Sequence, residues 1–349
     1  MTTAPHTTAP ITPTDSTAPT TGVISIATTG LDPVELAETR AANDRLEELL
    51  DAQVPLHVEN DAPAARAFRR SGGGGFPAAV QLPEGSWRTV TTANGSRLPL
   101  RVFTPPDGRQ PDGVFLHFHG GGGVIGSADG QDARLRDLAA NANAAVVSVE
   151  YRLAPENPYP AGTDDAEQAA LWLLAHAGAE FGTERLVIGG ESAGARLTVT
   201  TLLRLRDRQG LSPAAAFRGA QLSFGSYDLA YGTPSARHAG ERNLLINAPI
   251  LKWFRDQVFP GRTPADRLDP DISPLYGDLR DLPPARFTVG TADPVLDDTL
   301  FMAARWRAAG NAAELVVAAE GWHGFTLAPT ALARRESAEQ DAFVRRALG

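Results

Sequence analysis

The 349 residues are long enough for one large α/β domain with an accessory piece or for two small domains, and 42% hydrophobic with 21% charged residues is ordinary for a soluble globular chain. A net charge of −9 and a pI near 5.3 argue against the basic surface that a nucleic acid or an anionic membrane would need. The lack of cysteine excludes disulfides, a thiol nucleophile and thiolate metal sites, and suits the cytoplasm; no basic-then-apolar leader and no run of about 20 apolar residues is present, so no membrane span is expected.

Residues 1–22 are rich in Thr, Pro and Ala with little to bury, and are expected to form a disordered tail. Order is expected to begin near Leu31-Asp32-Pro33, followed by a helix over 34–50 whose Leu36, Leu46, Leu49 and Leu50 could form an apolar face. A short helix is predicted over 62–70, and Ser71 to Gly75 then reads as a connection; no lysine follows these glycines, so it is no phosphate loop. From Trp87 the period changes to two. Residues 87–92 and 98–104 around Asn94-Gly95 read as a β-hairpin. Strands are then predicted over 113–119, 144–150, 186–189, 219–223, 285–290 and 314–318. Helices are predicted over 131–141, 164–177, 193–209, 297–309 and 331–348. Such alternation specifies an α/β fold with a mostly parallel sheet covered on both faces. The span of about 227–274 interrupts it as an insertion carrying one helix near 249–258. The apolar residues there, Leu244, Leu245, Ile250, Leu251, Trp253 and Phe254, could line a pocket or only pack against the core, and packing is expected for most of them.

The strand at 186–189 runs into Gly190-Glu191-Ser192-Ala193-Gly194, and a helix follows. A serine on so sharp a strand-to-helix turn is lifted clear of the sheet at a helix N-terminus, where developing negative charge is favoured. Small residues two positions away on each side let strand and helix pass closely. The alternative is a serine that merely caps the helix. A serine nucleophile needs donors for an oxyanion, and His119-Gly120-Gly121-Gly122-Gly123 follows the buried strand at 113–119; successive glycines leave backbone N–H groups unobstructed. It also needs a base. His117 lies inside an apolar strand, and His119 is placed to orient the glycine loop. His6, His57, His176 and His238 lie away from strand ends, whereas His323 closely follows the last strand, where sites of open α/β sheets collect. Asp293, at the end of the preceding strand, can orient the imidazole. Asp297 and Asp298 are its rivals, read as solvated or helix-N-terminal charges.

The segments His119-Gly120-Gly121-Gly122, Tyr151-Arg152-Leu153-Ala154-Pro155-Glu156, Gly190-Glu191-Ser192-Ala193-Gly194, Ser273-Pro274-Leu275-Tyr276, Asp293-Pro294 and His323-Gly324-Phe325 stand in the order of the hormone-sensitive-lipase family of bacterial esterases, which this sequence resembles over roughly 85–330. The resemblance implies an α/β-hydrolase core from 81 to 349. It also implies a helical cap made of N-terminal helices within 23–80 and an insertion at about 227–270. It further implies hydrolysis of short- to medium-chain carboxylic esters without cofactor or metal, a triad of Ser192, Asp293 and His323, and oxyanion donors at Gly121, Gly122 and Ala193. A homodimer is compatible with it. Gly123, where the family usually has an aromatic residue, and Glu191, where it usually has Asp, are expected to bear on substrate binding; Ala195 and Asn157 also depart from the pattern. The same triad could serve an amide hydrolase. A non-catalytic receptor on this fold is the third reading, and the presence of His323 speaks against it.

Overall fold

Short strands that are apolar along their whole length must be covered on both sides, and helical crossovers provide that cover. The computed structural model describes residues 25–75, 78–239, 242 and 244–349, so the expected tail at 1–22 lies outside the described residues. The chain begins with β1 (Ser25–Thr29), α1 (Pro33–Asp51), α2 (Leu56–Glu59) and α3 (Ala62–Arg70). The hairpin of β2 (Ser86–Thr91) and β3 (Arg97–Phe103) leads to β4 (Gly113–Phe118), α4 (Asp132–Ala142) and β5 (Ala144–Val149). Next come α5 (Ala161–Phe181), β6 (Leu186–Glu191), α6 (Ala193–Asp207), α7 (Pro213–Ala216) and β7 (Gly219–Ser223). The short α8 (Pro234–His238) and α9 (Ala248–Val258) precede β8 (Ala285–Gly290), α10 (Leu296–Ala308), β9 (Ala313–Ala318) and α11 (Ala331–Leu348).

The strands form one sheet in the order β1-β9-β8-β7-β6-β4-β5-β3-β2, antiparallel only where β3 pairs β2 and β5. It is the expected α/β-hydrolase arrangement. The side chains of β4 alternate between two cores, with Val114, Leu116 and Phe118 facing the α5, α6 and α10 side and Phe115 facing α4 and α11. Each such fully buried side chain contributes about 1.5–3 kcal/mol.

Two expectations about the N-terminal segment are corrected. Order starts before Leu31, because β1 pairs in parallel with β9, Ile26 opposite Leu315. Five residues next to a Thr- and Pro-rich stretch carry little local signal, and their pairing comes from a strand near the other end of the chain. In α1, capped by the Asp32 carboxylate accepting from Val34 N–H at 2.9 Å, the buried stripe is Thr39, Asn43 and Leu46, while Leu49 is exposed. The stripe is partly polar because Asn43 Nδ2 donates to the Glu320 carbonyl at 2.9 Å.

The insertion between β7 and β8 is tied down by buried charge. Asp298, read as a solvated or helix-N-terminal charge, stands in the first turn of α10 but is buried, and accepts from Tyr227 N–H (2.6 Å), Asp228 N–H (2.8 Å) and Thr233 Oγ1 (2.6 Å). From α6, Arg204 Nε and Nη2 donate to the two oxygens of Asp271 at 2.5 and 2.6 Å, and Nη1 donates to Asp164 at 2.7 Å. Buried charges persist when they are so paired, because leaving one partner alone costs several kcal/mol. Among the described residues no helix is long and apolar enough to cross a membrane.

Candidate active site

Ser192 sits between β6 and α6 at φ 55° and ψ −116°. This conformation costs about 1–3 kcal/mol and is held only where surrounding structure enforces it. Enforcement comes from the neighbouring strand: a Cβ on Gly190 would lie 2.2 Å, and one on Gly194 1.9 Å, from the carbonyl oxygen of Phe118 at the end of β4. Ser192 N–H donates to the Ser223 carbonyl at 2.9 Å, fixing the turn to the end of β7.

The three residues expected to act together are within hydrogen-bond reach. Ser192 Oγ is 2.8 Å from His323 Nε2, and His323 Nδ1 is 3.0 and 3.1 Å from the two oxygens of Asp293. Asp293 is buried and also accepts from Val295 N–H at 2.9 Å, which orients the carboxylate toward the imidazole. Of the rival acids, Asp297 accepts from Ser235 N–H and Asp298 holds the insertion, so neither is the partner of His323. Phe224, just past β7 at φ 39°, packs edge-on to His323 at 5.1 Å between ring centroids. Nothing in the sequence pattern singled out Phe224; its place at a strand end beside the nucleophile's strand was the available signal.

The glycine loop turns back on itself, with Val124 N–H and Ile125 N–H both donating to the Gly121 carbonyl at 3.0 and 2.9 Å. That turn requires glycine at 121, where φ is 112° and a Cβ would fall 2.1 Å from the Ile125 carbonyl oxygen. Among the described residues the N–H groups of Gly121, Gly122 and Ala193 find no acceptor, and the three residues line the same cavity as Ser192. His119 braces the loop as expected: its Nδ1 donates to the Gly120 carbonyl at 2.8 Å and its ring stacks on Tyr151 at 4.2 Å. The Tyr151 hydroxyl in turn donates to the His119 carbonyl at 2.7 Å.

Burial pulls the His119 pKa down to about 4, so the folded imidazole is neutral. An unfolded histidine titrates near 6.5, so His119 stabilises the fold above pH 6.5, and this contribution, up to about 3 kcal/mol, is lost as pH falls from 6.5 toward 4. Thermal unfolding from pH 7.5 to 4.5 is expected to show a shallower dependence in His119→Asn than in the parent. Identical slopes would remove His119 as the cause.

Of the two residues expected to bear on substrate binding, Glu191 lines the cavity and Gly123 is not among its lining residues. The Glu191 carboxylate lies at the cavity wall but accepts from His117 Nε2 at 2.9 Å and Gln131 Nε2 at 3.3 Å, and His117 Nδ1 meets Ser148 Oγ at 2.9 Å. Burial opposes its ionisation, yet His117, Arg134 and Gln131 together hold the carboxyl below the usual range. Gly123 is off the wall, packed toward Val258. The nearby glycine that makes room is Gly122, and what it admits is the Phe254 ring of α9, 2.3 Å from where a Cβ would stand.

A cavity of about 1000 Å³ opens over Ser192 and His323 between the N-terminal helices and the insertion. Leu245, Ile250, Leu251 and Phe254 line it, while Leu244 and Trp253 are buried in packing. Packing and lining coincide here: Leu245, Leu251 and Phe254 line the cavity while packed against core clusters, and Ile250 is itself buried. Their spacing cannot distinguish a face turned to core from one turned to cavity, since both are apolar.

Residues 115–327 match the family model described as the alpha/beta hydrolase fold. An ethyl acetate hydrolase of Pseudomonas putida is 33% identical over 276 residues, covering 78% of this chain and 85% of the relative. The carboxylic ester hydrolase LipN of Mycobacterium tuberculosis is 32% identical over 277 residues, 77% of this chain and 72% of the relative. Among solved structures, a bacterial heroin esterase superposes with a TM-score of 0.77 at 30% identity, covering 92% of this chain and 98% of the other. The esterase of the archaeon Pyrobaculum calidifontis gives 0.77 at 28% identity over 92% of this chain and all of its own. With its α/β-hydrolase sheet, its motifs in order and these ester hydrolases as relatives, the chain belongs to the hormone-sensitive-lipase-like family of carboxylesterases.

Proposed function

We propose that the protein hydrolyses short- to medium-chain carboxylic esters with Ser192 as nucleophile, His323 as general base and acid, and Asp293 as the group that orients the imidazole. The observation that carries this is the continuous chain from Ser192 Oγ to His323 (2.8 Å) to Asp293 (3.0 Å) at one end of the cavity. His323 takes the hydroxyl proton as Oγ attacks the ester carbonyl, and the amides of Gly121, Gly122 and Ala193 receive the oxyanion. His323 then returns the proton to the leaving alkoxide, and water repeats the sequence on the acyl-enzyme. The helices within 23–80 and the insertion at about 227–270 serve as the cap that keeps bulk water off the acyl group, with Glu191 at the pocket wall and Gly123 behind it. The ethyl acetate hydrolase relative and a cavity in the range of small-molecule sites support a small ester as substrate. The homodimer that the resemblance allows can be checked by light scattering, and every residue of the site comes from one chain. The lack of cysteine fits a cytoplasmic location.

The test is labelling of the native protein with a fluorophosphonate, followed by peptide mapping and a nitrophenyl ester series from acetate to laurate. One adduct, on Ser192, and turnover concentrated in the shorter chains are expected. An adduct elsewhere, or none, would reject the assignment, and faster cleavage of a matched anilide would redirect it to amides.

A further inference from the structure

The cavity over Ser192 contains a cation that makes no direct ion pair among the described residues. Arg196 lies one turn further along α6, about 6 Å along the helix axis from Ser192, and lines the same cavity. Its exposure is 5%, and among the described residues no carboxylate pairs with it and its buried Nη1 meets no hydrogen-bond acceptor. Other arginines on the wall are matched: Arg66 with Glu156 at 2.6 Å, Arg70 with Asp129 at 3.3 Å and Arg152 with Asp165 at 2.8 Å. The polar groups nearest Arg196 make hydrogen bonds to other partners. Both oxygens of Asp271 are taken by Arg204, and the hydroxyls of Tyr151 and Tyr159 donate to the His119 carbonyl and to Asp271. What holds the Arg196 guanidinium is the face of Phe259, 5.7 Å from the ring centroid, an attraction that fixes its position and leaves its N–H donors unused.

A planar guanidinium that is buried, positioned and unpaired beside a nucleophile is suited to a carboxylate, which it can bind through two parallel charge-assisted hydrogen bonds. We propose that Arg196 is a specificity-determining residue that seats a carboxylate on the acyl part of the substrate, so that the preferred esters are half-esters of short dicarboxylic acids. The proposal rests on the esterase reading of the site and names the substrate class for it.

The experiment compares monoethyl with diethyl succinate, glutarate and adipate as substrates of the full chain, its Arg196→Met and Arg196→Lys variants, and Ser192→Ala. The readout is the ratio of kcat/KM for the half-ester to that for the diester. In Arg196→Met this ratio is expected to fall at least tenfold, through KM of the half-ester, and Arg196→Lys is expected to restore it to within about threefold of the parent. A ratio unchanged by Arg196→Met overturns the proposal. A second measurement needs only the parent protein: monoethyl glutarate against the ester in which an amide replaces its carboxylate. At least a tenfold preference for the carboxylate, weakening as salt is raised, supports the assignment, and equal rates overturn it. If diester turnover survives in Ser192→Ala, the esterase site itself is misassigned. If it depends on Ser192 while the ratios do not depend on Arg196, only the carboxylate subsite is rejected.

Discussion

Ser192→Ala is expected to reduce kcat on nitrophenyl butyrate by about 10⁴-fold or more, with KM little changed and the fold intact. Alanine removes only the Oγ that sits 2.8 Å from His323 Nε2, and without it His323 has no proton to take and the acyl group has nothing to join. The proposed donors at Gly121, Gly122 and Ala193 would remain, so a small residual rate by direct attack of water is expected. His323→Ala should cost a similar amount, and the double variant little more than either single one, because the two residues act as a unit. Steady-state kinetics on purified protein, with circular dichroism to confirm folding, decides the matter; activity in Ser192→Ala within tenfold of the parent would mean that another group is the nucleophile.

Gly194→Ala should be the most damaging single methyl group in the catalytic turn. The added Cβ would stand 1.9 Å from the Phe118 carbonyl oxygen and 2.8 Å from that of His119, both backbone atoms at the root of the glycine loop. Relief requires α6 to move away from β4, which displaces Ser192 from the oxyanion donors and opens the core between them. A loss of roughly 3 kcal/mol or more is expected, beyond the usual cost of overpacking because no flexible side chain can yield. Gly178→Ala, within α5, provides the contrast. Its Cβ would meet only the Glu184 side chain at 3.3 Å, and replacing a helical glycine gives back about 0.5–1 kcal/mol. Urea unfolding of the two variants should therefore move in opposite directions, and a Gly194→Ala midpoint equal to the parent's would remove the close approach as the reason for glycine.

Much of this molecule follows from local pattern. Strands such as β4 and β5 are mostly apolar runs, and their helical crossovers leave few topologies open. The site was legible for a related reason: Ser192, the glycine loop, Asp293 and His323 each sit at a strand end, and a parallel sheet gathers its strand ends along one edge. Where the reading failed, the deciding contact lay far away in the chain. β1 is a strand because β9 is beside it, and Leu49 is exposed because α1 is held by Asn43 on the Glu320 carbonyl. Asp298 is buried because Tyr227, Asp228 and Thr233 of the insertion bring their donors to it.

The pocket is the clearest case of this division. Sequence by itself determined where the turns fall, since small residues and a strand-to-helix change are read within a few residues, and the tertiary contacts with Phe118 and Ser223 hold the turn at Ser192 in place. Only the tertiary structure decided what fills the space around it. Leu245, Ile250, Leu251 and Phe254 face a cavity, Gly123 does not, and Arg196 reaches the cavity without a partner. Whether an apolar or charged side chain meets core, cavity or counter-charge depends on elements brought together from opposite ends of the chain, and no local pattern encodes that meeting.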